Sequence, residues 1–448
     1  MKKFIESLQN VWKIEELRNR VLFTLGLLLV YRFGAHVTLP GIDATKLQGL
    51  TNQTDKGIGW LINVFTGGAF SQASVFALGI MPYISASIVV QLMGIAIPYL
   101  QKLQKEGESG RKKMNQITRW LTIGITLIQG PGYIYNLYRT LPADAFLLGF
   151  NSFAFLFSSV LILATGTLFA MWLGEKITDK GIGNGISLLI LVGIVARLPQ
   201  AFAQEFSSAV SQNNGGLMKI VVEIIVWLLV IIACVLMTMA VRKVAVQYAR
   251  RTVSGDLEQD LMGGNRQFIP LKLNASGVMP IIFAQAIMFI PAAVAGLSSS
   301  ETAQSISTRF QNIFGWEYNL VFATLIIIFT YFYTAITMPT TRMADDLKRS
   351  GGFIPGVKPG LETADFLDHV MSLITFPGAI FLALLAVFPA IVMNVLGVQQ
   401  QWALFFGGTS LLILVGVAID TIQQINSYLL NQHYDGLMKT GKNRKAVA

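Results

Sequence analysis

Long apolar stretches separated by charged segments form the dominant pattern along this chain. A helix needs about 20 apolar residues to cross the roughly 30 Å hydrocarbon layer of a membrane. Ten stretches meet that length, and they predict membrane-spanning helices near 20–38, 76–98, 117–137, 153–174, 182–203, 220–241, 276–296, 318–339, 371–393 and 403–424. The pattern therefore predicts an all-α membrane protein with ten spans.

The positions of Lys and Arg predict how these spans are oriented. Cytoplasmic segments next to span ends accumulate positive charge. With both termini in the cytoplasm, 27 of the 34 Lys and Arg residues fall on the cytoplasmic side. We therefore predict two cytoplasmic termini and two long cytoplasmic loops, at 242–275 and 340–370.

Composition agrees with a membrane class, because 53% of the residues are hydrophobic and only 13% are charged. The net charge of +10 lies mostly on the predicted cytoplasmic face. That charge either follows the orientation rule alone or also docks an acidic partner such as RNA. The single cysteine, Cys234, excludes an intrachain disulfide.

Ten spans divide into two sets of five, and an odd number per half turns the second half upside down relative to the first. Inverted halves commonly enclose a central pathway at their interface. We predict an N-terminal half at 20–203 and a C-terminal half at 204–430. An amphipathic cytoplasmic helix at 1–19, which does not read as a removable signal peptide, precedes them, and a cytoplasmic tail at 431–448 follows.

The sequence argues against an enzyme and predicts no cofactor or metal. His36, His369 and His433 are scattered, and the chain contains no HExxH motif, no cysteine pair and no P-loop. A scaffold that only recruits partners is an open alternative that would explain the basic loops.

A secondary transporter of a small solute is a second alternative, since transporters also use inverted halves. That class usually needs ionisable groups inside its spans for coupling. The predicted spans offer mainly Arg32 and Asp420, both near span ends, with Glu223 at the edge of the sixth span.

Six long strings, in the same order over nearly the whole chain, resemble the SecY family of protein-conducting channels. They are FTGGAFSQASVFALGIMPYISASIVVQL at 65–92, KEGESGRKK at 105–113, GEKITDKGIGNGIS at 174–187, IPLKLNASGVMP at 269–280, GGFIPGVKPG at 351–360 and FGGTSLLI at 406–413. The resemblance implies an hourglass pore in the bacterial cytoplasmic membrane. It also implies passage of unfolded preproteins with their signal peptides, release of apolar segments into membrane lipid, and the partners SecE, SecG, SecA and the ribosome.

A channel for unfolded polypeptide needs a narrow, soft, apolar waist, because apolar constrictions exclude ions and water by dewetting. Two pairs of isoleucines are spaced by four residues, which places each pair on one helix face. From sequence alone, an isoleucine in a membrane helix more often faces lipid or core. The resemblance places the pore ring on Ile80, Ile84, Ile186, Ile190, Ile282 and Ile413.

The segment WLINVFTGGAFSQASVF, before the second span, is too short and too polar to cross a membrane. An ordinary re-entrant or interfacial turn is one interpretation. The resemblance instead implies a plug at about 60–74, a short helix that sits under the waist at rest. Its plug and hinge residues are Asn63, Phe65, Gly67, Gly68, Phe70 and Ser71.

Polar residues on the second and seventh spans predict a seam between two helices. Hydrogen bonds across a helix pair contribute roughly 0.6 to 2 kcal/mol each, enough to hold a seam shut without locking it. Polar residues that merely pack the bundle interior are the alternative. The resemblance implies a lateral gate formed by Ser85, Ser87, Gln91, Asn274 and Gln285.

Basic residues mark both long cytoplasmic loops. The resemblance implies that they bind the ribosome and SecA, since guanidinium groups clamp phosphates and carboxylates. The residues are Arg242, Lys243, Arg250, Arg251, Arg342, Lys348, Arg349 and Lys358. In two departures, Lys358 stands where the family commonly has arginine, and the tip of the first loop carries Asp256, Glu258 and Asp260.

Overall fold

The computed structural model describes residues 14–47, 66–146, 152–211, 216–248, 266–285 and 312–444, together with positions 12, 63, 287 and 288. These residues are mostly helical and form two compact units. One unit is drawn from 1–202 together with 417–448, and the other from 203–416.

In chain order, the first seven helices are α1 (Glu15–Gly34), α2 (Met81–Ala96), α3 (Pro98–Lys105), α4 (Glu108–Thr140), α5 (Ser152–Lys180), α6 (Gly185–Ser211) and α7 (Gly216–Met239). Strands β1 (Val241–Tyr248) and β2 (Arg266–Lys272) follow. The remaining elements are α8 (Trp316–Thr337), α9 (Thr340–Arg349), β3 (Gly352–Phe353), α10 (Leu361–Leu396), α11 (Gln400–Ala403) and α12 (Gly408–Arg444). Residues 279–285 are also helical.

Within the described ranges, six helical segments are long and apolar enough to cross a membrane, and they confirm a multi-pass membrane protein. They are Phe153–Lys180, Gly185–Ser211, Met218–Met239, Trp316–Arg349, Leu361–Leu396 and Gly408–Leu430. A broken seventh joins Met81–Gly94 to Pro98–Gln104 through a bend of 101°.

Three of the ten predicted spans fall outside this set. Helices α1 and α4 coincide with the predictions at 20–38 and 117–137 but are more polar than the six. The prediction at 276–296 lies only partly within the described residues. The ten-span count therefore stays a prediction.

The second predicted span, 76–98, is shorter than expected, because α2 begins at Met81 and ends at Ala96. Proline at position 82 fits the first turn, where its missing N–H is not needed. At the other end, Pro98 forces the preceding Ile97 into an extended conformation (φ −100°, ψ 116°), which breaks the helix. Helix α3 then continues in a new direction and buries Leu100 and Leu103.

The core of the first unit forms where α4 and α5 pack against two segments of the connection between α1 and α2, at 39–47 and 70–78. Its members are buried aliphatic and aromatic side chains: Leu39, Ile42, Leu47, Phe70, Ala73, Ala77, Leu78, Tyr133, Ile134, Leu137, Leu141, Ala145, Phe155 and Leu163. Burial of this much apolar surface by the 70–78 segment shows that the segment belongs to the packed interior of its unit.

A three-stranded antiparallel sheet in the second unit corrects the all-α prediction. Strand β1 is central, pairing with β2 from Val241↔Lys272 to Gln247↔Arg266 and with β3 at Gln247↔Phe353. The sequence VRKVAVQY alternates, which fits a strand with one buried face. The core below this face contains Val244, Val246, Leu271, Leu347, Ile354, Leu367 and Met371. The two segments predicted as separate loops therefore fold together.

A buried charge cluster links α6, α7 and the turn after α10. The Lys219 ammonium lies 3.3 Å from a Glu205 oxygen and 3.6 Å from a Glu223 oxygen, and it donates to the Gly397 carbonyl at 2.8 Å. The backbone N–H of Gln399 donates to Glu205 at 2.7 Å. Two buried carboxylates thus share one ammonium, and Glu205 holds the turn at 397–399. Glu223 is therefore buried, and the sequence interpretation of a residue at a span edge missed this.

A close approach of α5 to the 66–80 segment gives a prediction at Gly166. A Cβ at this position would collide with the backbone carbonyl oxygen of Val75, whereas a Cβ at Gly124 meets no described atom within 4 Å. We expect Gly166→Ala to destabilise the protein by about 1–3 kcal/mol, because backbone must shift to relieve overpacking. Gly124→Ala should leave stability unchanged or raise it slightly. Thermal unfolding of both variants in detergent measures the difference, and equal midpoints would contradict the packing.

The charge cluster gives a second prediction. Glu205→Gln weakens bonds to both Lys219 and the Gln399 N–H, so we expect a loss of up to about 3–5 kcal/mol, the range for breaking a buried pair. Glu223→Gln removes the carboxylate whose oxygens accept no hydrogen bond within the described part of the chain. This variant should match or exceed the wild-type thermal midpoint. A midpoint as low as that of Glu205→Gln would show that both carboxylates are needed.

Candidate functional site

The segment 66–80, between α1 and α2, consists of turns with one bridge residue at Ser74. Within the predicted plug at about 60–74, position 63 is helical, but no helix extends over 66–74. Gly67, Gly68, Ala73 and Gly79 have φ values of 64°, 94°, 46° and 52°. A right-handed helix requires negative φ, so four such residues prevent one from continuing. The remaining predicted plug positions, 60–62 and 64–65 with Phe65 among them, lie outside the described residues.

The second half of this segment is tied to the chain that follows α1. The backbone N–H of Leu39 donates to the Ala73 carbonyl at 2.8 Å, and that of Val75 donates to the Val37 carbonyl at 2.9 Å. An isolated antiparallel bridge joins Thr38 to Ser74. Residues 73–75 are therefore fixed by backbone pairing.

The first half of the segment is held by local hydrogen bonds that involve Asn63 and Ser71. Asn63 is fully buried, and its side-chain oxygen accepts the N–H of Ser71 at 3.1 Å, while its carbonyl accepts the N–H of Gly68 at 2.8 Å. The hydroxyl of Ser71 donates to the Gly68 carbonyl at 3.0 Å. Phe70 is anchored by Tyr133, whose hydroxyl donates to the Phe70 carbonyl at 2.8 Å.

Two arginines from neighbouring helices contact the same stretch. Arg32 of α1 donates from Nη1 to the carbonyl of Gly67 at 2.6 Å. Arg197 of α6 donates from Nη2 to the Ser71 hydroxyl at 3.2 Å. Arg32, which the sequence places near a span end, is therefore used to contact this segment. Arg197 was missed, although an isolated charge inside the apolar stretch 182–203 was the available signal.

The six isoleucines assigned to the pore ring are buried or half-buried. In the first unit, Ile80 and Ile190 are buried, and Ile84 and Ile186 are half-buried. Ile80 is the residue before α2, and its carbonyl accepts the N–H of Ile84 at 3.0 Å. In the second unit, Ile413 on α12 is buried and Ile282 is half-buried. Their joint role as a ring stays a prediction.

Residues assigned to the lateral gate are half-buried in each unit. On α2, the Gln91 amide donates to the Ser87 hydroxyl at 3.5 Å, and Ser85 lies on the same helix. Asn274 lies in the turn after β2, before the helical residues, and accepts a bond from Ser276 at 3.4 Å. Gln285 is helical. The gate role also stays a prediction.

Most of the predicted partner-binding cations are exposed, on β1, on α9 and in the turn before α10. These exposed residues are Arg242, Lys243, Arg342, Lys348, Arg349 and Lys358. Lys358 also pairs with Glu362 at 3.5 Å across an exposed helix start. Arg250, Arg251 and the acidic tip at 256–260 lie outside the described residues. In the ranges that the structure describes, no three His, Cys, Asp or Glu side chains are grouped to hold a metal ion.

Comparison with known proteins places these features in a family context. The model of the SecY family matches residues 74–422. The protein translocase subunit SecY of Streptomyces scabiei is 38% identical over 97% of this chain and 100% of that relative.

Two solved structures share the fold. Each alignment covers 91% of this chain and 91% of the solved chain, at 17% sequence identity. One is the structure of a protein conducting channel, with a TM-score of 0.55. The other, with a TM-score of 0.56, concerns a SecY protein whose plug domain stabilises the closed state of the translocation channel and maintains a membrane seal.

Proposed function

The chain belongs to the SecY family, and on that premise we propose that it is the channel subunit of a protein translocase. The observation that carries this proposal is the full-length match to a translocase subunit, which covers both units. Unfolded preproteins cross the membrane through the channel, and their apolar segments leave it sideways into lipid.

In this proposal, the pore ring of six isoleucines closes the channel to ions. Branched aliphatic side chains dewet a narrow pore yet yield around a passing chain, because they make no fixed polar contacts with it. The segment at about 60–74 acts as the plug. The hydrogen bonds that hold its turns support a plug with one defined position.

We place the protein in the bacterial cytoplasmic membrane with both termini in the cytoplasm, as the distribution of Lys and Arg favours. SecE and SecG complete the membrane complex. SecA or a translating ribosome supplies the driving force and docks on the sheet and α9. The exposed cations of that surface support this assignment, since such groups pair well with phosphates and carboxylates.

The transporter alternative finds no support. Neither the translocase relative nor the two solved structures is a solute transporter. The buried cluster around Lys219 is accounted for by the turn at 397–399 that it holds.

Disulfide closure of the lateral gate tests the proposal. In a background with Cys234→Ser, the paired substitutions Ser85→Cys and Gln285→Cys should crosslink under oxidation and abolish export of a secreted preprotein into vesicles. Reduction should restore export, since only the seam is blocked. Each single-cysteine variant is the control and should export normally under oxidation. Full export through completely crosslinked protein would rule out lateral opening between these segments.

Charge reversal tests the docking surface. Replacing Arg242 and Lys243 with Glu on β1 should weaken binding of SecA or ribosomes by about tenfold or more, because repulsion replaces attraction across the interface. Both side chains are exposed, so the fold should be unaffected. Arg139→Glu, an exposed change outside the predicted cytoplasmic segments, is the control. Equal affinities for all three proteins in a sedimentation assay at fixed salt would contradict the assignment.

A further inference from the structure

Two guanidinium groups grip the plug from different helices. Arg32 reaches it from α1 and Arg197 from α6, at 2.6 Å and 3.2 Å from their acceptors. Both acceptors are neutral, a backbone carbonyl at Gly67 and a hydroxyl at Ser71. Charged side chains within membrane spans are rare and usually serve function, so two that converge on residues 67–71 of one segment need an explanation.

The glycines of the plug permit this approach. A Cβ at Gly67 would lie 2.8 Å from the Cα of Gly193, and a Cβ at Gly68 would lie 3.4 Å from Nη2 of Arg197. Gly193 and Arg197 are four residues apart, so they lie on the same face of α6. That face is in contact with the plug because positions 67 and 68 carry no side chain. The two glycines therefore allow close packing against α6 as well as a change of chain direction.

The contacts also divide the plug into two parts. Residues 73–75 are held by backbone bonds to 37–39, which are independent of either arginine. Residues 67–71 are the ones that the guanidinium groups contact. A movement could break the arginine contacts and keep the backbone bridge. It would then rotate residues 67–71 relative to residues 73–75, near Ala73, which has a positive φ of 46°.

The chemistry suits a contact that must break and re-form. A guanidinium bound to a carboxylate leaves a second charge behind when it separates, and that charge is costly in a poorly hydrated interior. The acceptors at Gly67 and Ser71 are uncharged, so separation from them leaves no second charge behind on the plug. Each contact is a charge-assisted hydrogen bond, stronger than a neutral one.

From this geometry we propose that Arg32 and Arg197 are the latch of the plug: they hold residues 67–71 in the resting position and let go when the channel opens. The proposal rests on the proposed channel function. It assigns to both arginines a positioning role, since neither needs to touch the translocating chain.

Resting ion efflux from vesicles that contain the full-length protein in its membrane complex tests the latch. Arg197→Met and Arg32→Met should each raise efflux about tenfold, the effect expected for losing one hydrogen bond to a charged group. Arg197→Lys keeps the charge and a donor and should return efflux most of the way to wild type. Arg139→Met, an exposed arginine over the Tyr135 ring, is the matched control and should not leak.

Epistasis separates a latch from a general loss of packing. Deletion of 60–72 removes the plug, and in that background Arg197→Met should add nothing to the efflux. Ser71→Ala removes the acceptor and leaves the arginine in place, so it should leak like Arg197→Met, and the two changes together should leak no more than either. Ser71→Ala also carries the test if Arg197→Met does not fold.

The outcomes distinguish the two proposals. Suppose that folded Arg197→Met and Ser71→Ala show wild-type efflux while the deletion variant leaks. That result would overturn the latch but would be consistent with the plug. Additional efflux caused by Arg197→Met in the deleted background also overturns it, because the arginine would then act elsewhere. A deletion that does not leak at all overturns the plug itself and with it the proposed closing mechanism.

Discussion

Polar backbone groups buried among apolar helices must find partners inside the protein, and this constraint decides how the segment between α1 and α2 is built. The segment is not helical, so it cannot satisfy its own N–H and C=O groups by regular bonds. Turns within the segment pair some of these groups, and further partners come from outside: the backbone at 37–39, the hydroxyl of Tyr133 and the guanidinium of Arg32. The same contacts that satisfy the segment chemically also fix its position. A single defined position for this segment follows from the cost of leaving these groups unpaired.

The apolar helices were the part of the fold most open to prediction. Stretches such as 153–174, 220–241 and 371–393 contain so few charges that only a membrane or a large core suits them, and each corresponds to a membrane-capable helix. Their ends were less predictable, because Leu361 and Lys180 extend α10 and α5 well past the apolar limits. A helix can extend into polar sequence, so the end of an apolar stretch does not mark the end of the helix.

The elements that were missed depend on contacts between distant parts of the chain. The strand VRKVAVQY shows alternation, but its partners lie at 266–272 and 352–353, and nothing local identifies them. Residues 66–74 were expected to belong to a plug helix, and the backbone angles that exclude a helix there, at Gly67, Gly68 and Ala73, are known only from the structure. Arg197 carried a readable signal, a charge in an apolar stretch. Its acceptor, Ser71, required the folded structure.

Helix α10 joins two ends of the second unit as one continuous element of 36 residues, a length of about 54 Å. Leu367 and Met371, near its start, belong to the core of the sheet, and Gly397, which caps its end, accepts the Lys219 ammonium. The helix thus connects the core beneath the exposed sheet to the charge cluster at its other end. Pro377 and Pro389 interrupt the ladder of backbone bonds along the helix. Bending of this helix is therefore expected at these two prolines rather than along its whole length.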